Sequence, residues 1–261
     1  MSRALVATIN DSLWFDLRSR LRRRGAAAIQ PTGILERAYR DWFTTFAPDW
    51  RQGEHVAIIG QTGSGKTTLA GQLLDAREYV VCLAVKRHDD TLKTFSAYDV
   101  IKKWPPRYDV ARCVVWLKPE SLDDIDDQAR DVHGILNHVF VDGGWALFLD
   151  DTGYLAGQLR LHKAITVLLN QGRSSGISVV SAMTQPSSVT ARIPSEALRQ
   201  VRHILGFRYR NRRDIQAIAD ITGYDRAEIE TSMRELGPHD FLAFSRGRVE
   251  LVRNTTPKRK G

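Results

Sequence analysis

The sequence predicts an α/β fold built on a mainly parallel sheet, with an N-terminal helical segment and a C-terminal β-hairpin. Two patterns carry the prediction. Short apolar runs recur at His55–Ile59, Tyr79–Val85, Arg112–Leu117, Ala146–Leu149, Ile177–Met183 and His203–Phe207. Helical periodicity separates most of them, at Thr67–Leu74, Ser121–Phe140 and Leu159–Gln171. All-apolar strands alternating with helices are the pattern of a parallel sheet covered on both faces. The end of the chain differs: Phe241 to Val252 reads as two strands turning at Arg246-Gly247.

The elements follow in order. Residues 10–24 read as an amphipathic helix, capped by Asn10 or Asp11, with Leu13, Trp14, Leu17 and Leu21 on one face. Residues 25–31 read as a linker. A second helix is expected over about Gly33–Phe46, where Leu35, Ala38, Tyr39, Trp42, Phe43 and Phe46 share a face and Pro48 ends the run. Trp50 is placed to approach a bound base. Ser121, with Asp123 and Asp124 behind it, is a strong helix start. The division expected is 1–50 helical segment, 51–254 α/β domain and 255–261 basic tail.

Composition narrows the class. The chain has 261 residues, and its 43% hydrophobic content supports a sizeable core. No apolar run approaches the roughly 18 residues of a membrane span, and the start lacks the apolar stretch of a signal peptide. Cys82 and Cys113 both fall within strand-like runs, as small core residues of a reduced, cytoplasmic protein do. The net charge of +8 favours a polyanionic partner. It is uneven: residues 1–25 hold six arginines against Asp11 and Asp16, and 246–261 six basic groups against Glu250. Between Glu120 and Asp131 six acids face Arg130 alone. Arg208, Arg210, Arg212 and Arg213 form a further basic cluster, and a strand continuing past Phe207 would set the first three on one face.

The most informative stretch is Gly60-Gln61-Thr62-Gly63-Ser64-Gly65-Lys66-Thr67, between an apolar run and a helical pattern. It is the full G-x-x-x-x-G-K-[ST] phosphate loop in its strand–loop–helix setting. The glycines let successive N–H groups point into one concavity, with Thr68 in the first helical turn behind them. Lys66 reaches for β- and γ-phosphates and the Thr67 hydroxyl for Mg²⁺. ATP and Mg²⁺ are therefore the expected ligands. The run Ala146–Leu149 ends in Asp150-Asp151. There the first acid suits Mg²⁺ and the second suits the attacking water. The acid-bearing strand is expected beside the loop strand, so that both carboxyl ends meet at the site.

Beyond the acids comes Gly172-Arg173-Ser-Ser-Gly176 before a strand, and Thr184-Gln185-Pro186 after it. The order of these four motifs resembles the FtsK/HerA superfamily of hexameric DNA-pumping ATPases, over most of the chain from about Gly53. The resemblance implies a RecA-like P-loop NTPase core, a homo-oligomeric ring, and double-stranded DNA as partner. It implies that Arg173 reaches a neighbour's γ-phosphate and that Gln185 senses the γ-phosphate from its strand end. No base-reading motif is present, so DNA contact is expected to be to the backbone.

Two departures from the family shape the expected function. The family carries Asp-Glu where this chain has the shorter Asp151, which slows hydrolysis or calls for an inserted water. The N-terminal membrane segment of many members is not seen here. A compact motor for viral genome packaging fits best, in host cytoplasm or virion, docking on a capsid portal. A conjugative coupling or secretion ATPase docking on a membrane complex, and a slow nucleotide-gated assembly switch, are the alternatives.

Overall fold

The computed structural model describes residues 34–106 and 110–254. The expected helix over 10–24, the linker and the tail 255–261 lie outside the described residues. A ten-stranded sheet organises the rest: β1 (Leu35–Ala38), β2 (His55–Ile59), β3 (Val80–Ala84), β4 (Asp99–Ile101), β5 (Arg112–Trp116), β6 (Ala146–Leu149), β7 (Ser178–Met183), β8 (Val201–Phe207), β9 (Phe241–Ser245) and β10 (Arg248–Arg253). Their spatial order is β1-β10-β9-β8-β2-β7-β6-β3-β5-β4. From β8 to β4 all seven strands are parallel, and β9 and β10 add antiparallel pairs. The fold class is the predicted one.

The four central strands β2, β3, β6 and β7 are buried along their whole length. That explains their lack of alternation, since helices cover both faces. One face carries α1 (Tyr39–Asp49), α2 (Lys66–Leu74) and α3 (Asp90–Thr94). There Trp42 stacks on Phe46 at 4.6 Å and meets the edge of Phe241 at 5.1 Å. The other face carries α4 (Ile125–Asp142), α5 (Thr152–Gly157), α6 (His162–Gln171), α7 (Pro186–Thr190), α8 (Ser195–Leu198), α9 (Arg212–Thr222) and α10 (Arg226–Arg234). Ser121 caps the approach to α4 through a reciprocal capping box with Asp124, which accounts for part of the acidic run.

Four details depart from the sequence expectation. Residues Leu35–Ala38 form a strand, so the helix starts at Tyr39. Its aromatic stripe satisfies either reading, and a sheet edge decided the first turn. Trp50 is buried in the core, its Nε1 donating to the Glu54 carbonyl and its ring stacked under Arg77 at 3.7 Å, so it cannot meet a base. Strand β7 lies between β2 and β6, so the loop strand and the acid strand are not neighbours. A crossover connection fixes handedness but not how many strands are skipped. Finally, β8 stops at Phe207 because Asn211 accepts from Arg213 N and starts α9. The arginine cluster is thereby split between a loop and a helix. The hairpin is as predicted, with Arg246 and Gly247 at φ 51° and 76° in the turn.

A buried histidine anchors the amino end of β2. His55 Nδ1 accepts from Val179 N at 3.0 Å, and Nε2 donates to the Leu169 carbonyl at 3.1 Å. Accepting at Nδ1 requires the neutral ring, and burial pulls its pKa from 6.5 to about 4. A histidine held neutral in the fold but free to protonate when unfolded stabilises above the unfolded value and loses that contribution as pH falls. The window is therefore pH 6.5 to about 4, and the contribution at stake is about 3 kcal/mol. Denaturant unfolding across that window should show stability dropping, with the dependence blunted in His55→Gln; an equal slope in both proteins would reject this role.

Candidate phosphate site

Parallel strands bring the carboxyl ends of β2, β7, β6 and β3 to one edge of the sheet, and four chain segments meet there. The loop after β2 is the first. Gly63 and Gly65 adopt φ of 79° and 103°, which only glycine takes without strain. Gly60 is needed for a different reason: a Cβ there would overlap Ser64 Oγ and press on Phe207. Gly65 is the cap residue of α2, and no side chain caps that helix end. Its first N–H groups and its dipole are thus directed at the loop concavity, as an anion site requires. Lys66 is buried, with Nζ donating to the Gln61 carbonyl at 3.0 Å. Burial holds its pKa below the ordinary lysine value, against the pull of Asp150. Thr67 is half-buried, and Thr68 is exposed in the same turn.

The second segment follows β6. Asp150 is buried and accepts from Thr91 Oγ1 at 3.3 Å. Burial pushes its carboxyl pKa up, opposed chiefly by Lys86. Asp151 takes a left-handed conformation at φ 55° and caps α5, Oδ1 accepting from Tyr154 N at 3.2 Å. Its other oxygen, Oδ2, lies 3.3 Å from Lys86 Nζ. The capping possibility is realised by one oxygen, and the other faces Lys86.

The third segment follows β7. Gln185 is exposed, occupies the cap position of α7 and makes no capping bond. Its amide is therefore available at the strand end between the loop and the acids. The fourth segment, after β3, was invisible to motif reading. Lys86 and Thr91 both reach the acid pair from it, and Asp89 shapes the turn that carries them. Only the adjacency of β3 and β6 brings them there.

The loop also borders a cleft of about 560 Å³ lined by Gln61, Ser64, Phe207, Arg208, Arg210 and His239, among others. His239, itself at φ 64°, hydrogen-bonds the Ser64 carbonyl through Nδ1 at 3.0 Å. Between Arg208 and Arg210 the buried Tyr209 turns inward to bond the Thr184 carbonyl, so both arginines face outward at the cleft. Sequence reading did not place them beside the phosphate loop, nor did it find His239.

Arg173 stands apart from all of this. It lies in a short 3₁₀ turn, Gly172–Ser175, just before β7 begins, against Gly53 at the amino edge of the sheet. A six-residue strand spans about 20 Å, so the turn that carries Arg173 is separated from the phosphate loop by roughly that length. It is exposed, in a cleft of about 360 Å³ shared with Arg199, Arg202 and Arg246.

The residues present fit a hard divalent cation. Thr67 and Asp150 supply oxygen donors only, and the described residues hold no cluster of three or more His, Cys, Asp or Glu that would form a full protein cage. Few protein ligands and open positions for phosphate and water are what Mg²⁺ prefers.

No protein-family model matches the chain, and no curated protein matches it. Solved structures do. The genome packaging NTPase B204 from Sulfolobus turreted icosahedral virus 2, in complex with AMPPCP, is similar with a TM-score of 0.53 at 16% identity, over 78% of this chain and 98% of that one. VirB4 of Thermoanaerobacter pseudethanolicus is similar with a TM-score of 0.58 at 10% identity, over 79% and 90%. The cytoplasmic domain of the Thermomonospora curvata Type VII secretion ATPase EccC gives 0.51 at 16%, over 78% of this chain and 25% of that chain. The fold that the sequence resemblance implies is the fold found: a RecA-like P-loop NTPase core.

Proposed function

We propose that the chain is an ATP hydrolase that works in a ring of copies, six by family resemblance, and drives double-stranded DNA, most specifically for genome packaging. The observation that carries this reading is the separation of Arg173 from its own phosphate loop by the length of a strand. An arginine at the opposite edge serves only a neighbour's nucleotide. Head-to-tail contacts that close produce rings. Similarity in fold to a genome packaging NTPase supports the choice of task.

Within this reading each site residue has a role. Loop N–H groups of Gly60 to Thr68 and the Lys66 ammonium hold the phosphates. Thr67 and Asp150 would hold Mg²⁺, which neutralises phosphate charge when bound. Asp151 Oδ2 takes the proton of the attacking water. The Gln185 amide donates to the γ-phosphate or orients that water. A neighbour's Arg173 stabilises charge on the transferred group. The cleft beside His239 and Arg210 has room for ribose and base. Exposed arginines and the net charge of +8 suit sequence-independent contact with a DNA backbone.

One observation favours a second reading, the slow nucleotide-gated switch. Asp151 is engaged at both oxygens, by the Tyr154 N–H and by Lys86, so a water must displace the lysine from Oδ2 before Asp151 can act as its base.

Steady-state ATP hydrolysis with and without long duplex DNA separates the two, with Lys66→Ala as the blank. The motor requires stimulation by DNA of any sequence that fades with salt; turnover at the level of the blank in both conditions supports the switch instead. For Arg173→Ala, nucleotide affinity should stay within about twofold while turnover falls by about 10³. Mixing Arg173→Ala with Asp150→Asn subunits should restore part of the activity, because an intact arginine then faces an intact site. Equal losses of binding and turnover in Arg173→Ala would remove the finger assignment.

A further inference from the structure

We propose that Lys86 is the resident counter-cation of the Asp150–Asp151 pair, and that it keeps this pair from holding a divalent cation until a triphosphate brings one. The inference deepens the reading of this edge as a nucleotide site and rests on it. Lys86 Nζ lies 3.3 Å from Asp151 Oδ2 and 4.0 Å from Asp150 Oδ2.

The lysine is built into place. Asp89 Oδ2 accepts from both Val85 N and Lys86 N, at 3.0 and 3.1 Å, while Oδ1 accepts from Thr91 N at 3.0 Å. Trp116 Nε1 donates to the Lys86 carbonyl at 3.1 Å. Gln128 Nε2 donates to the Val85 carbonyl at 2.8 Å. Every backbone polar group from Val85 N to the Lys86 carbonyl is therefore paired, and the side chain is the free part of the turn. The same buried Gln128 accepts from Tyr154 OH at 2.7 Å, in the helix that Asp151 caps. One glutamine thus fixes the lysine-bearing turn and the acid-bearing turn relative to each other.

Two adjacent carboxylates, one of them buried, require a nearby positive charge. An ammonium meets that need without a metal. It also competes for the same oxygens, since a divalent cation at Asp150 would sit within a few ångströms of Lys86 and repel it. The Lys86 side chain is 46% exposed and that of Asp150 only 11%. The ammonium thus enters from the solvent side and has an exit, which makes it exchangeable. Lys66 acts on the acids only at longer range, because its Nζ donates to the Gln61 carbonyl. The arrangement makes divalent-cation binding depend on the phosphates that arrive with it.

The test uses Mn²⁺ alone, without nucleotide, titrated by electron paramagnetic resonance. Lys86→Met should bind Mn²⁺ about tenfold more tightly than the unmodified protein. Lys86→Arg, which keeps the charge, should remain near the unmodified value, and the gain should vanish in Lys86→Met/Asp150→Asn. Lys86→Gln serves as a second neutral variant should the methionine protein fail to fold. An unchanged Mn²⁺ affinity in the neutral variants, a gain that survives removal of the Asp150 charge, or no Mn²⁺ binding by any of the proteins overturns the proposal. Binding of a fluorescent ATP in the absence of metal, compared with Lys66→Ala, tests the nucleotide site separately, so failure of one reading is distinguishable from failure of the other.

Discussion

Seven strands running the same way impose the constraint on which the rest depends. A parallel ladder gathers its carboxyl ends on one edge and its amino ends on the other. Turns leaving the carboxyl edge carry the phosphate loop, the acid pair, Gln185 and Lys86. The amino edge carries Arg173, and with it Arg199, Arg202 and Arg246. The two halves of the proposed catalytic apparatus are therefore held apart by the rigid length of the strands. On the proposed reading, such a division leaves a single copy incomplete and gives assembly a chemical purpose.

Burial sets the electrostatic character of the carboxyl edge. Lys66 and Asp150 are both taken out of water, and each is pushed toward its neutral form by that burial. What keeps the edge charged is the set of short-range partners. Burial also pulls the Lys86 pKa down, yet Asp150 and Asp151 outweigh it and raise it. The result is a compact group of two ammonium and two carboxylate groups. On the proposed reading, an incoming polyphosphate finds ammonium groups already in place, and its cation displaces Lys86 from the acids.

The amino edge is organised by different chemistry. His203 bonds Glu54 at 3.0 Å and Ser245 at 2.7 Å, and Arg246 pairs with Glu54 at 3.5 Å. These bonds tie β8 and the hairpin turn to the segment before β2. They also leave Arg173 and Arg202 outside the network among the described residues, on a surface with more positive charge than its local partners neutralise.

Much of this was legible in the chain. Apolar runs without alternation predicted buried parallel strands, and their positions hold to within a few residues. The phosphate loop is a backbone device, readable because only glycine permits its dihedral angles at Gly63 and Gly65. Gly-Arg-x-x-Gly and Thr-Gln-Pro were readable through the family resemblance, and chain order gave the edge on which each sits. Lys86, Thr91, His239 and the placement of Arg208 and Arg210 had no such signal. Each acts through strand neighbours distant in sequence, and strand order is set by which crossovers bury the most surface, a property of the whole sheet. Trp50 shows the same limit from the other side: an aromatic residue near the loop in sequence lies in the core because Arg77 and the Glu54 carbonyl claim it. Local dihedral chemistry and hydrophobic period determined the elements and the phosphate loop. Only the packed sheet decided which side chains face one another across it, because those contacts depend on distances between strands that the chain order leaves open.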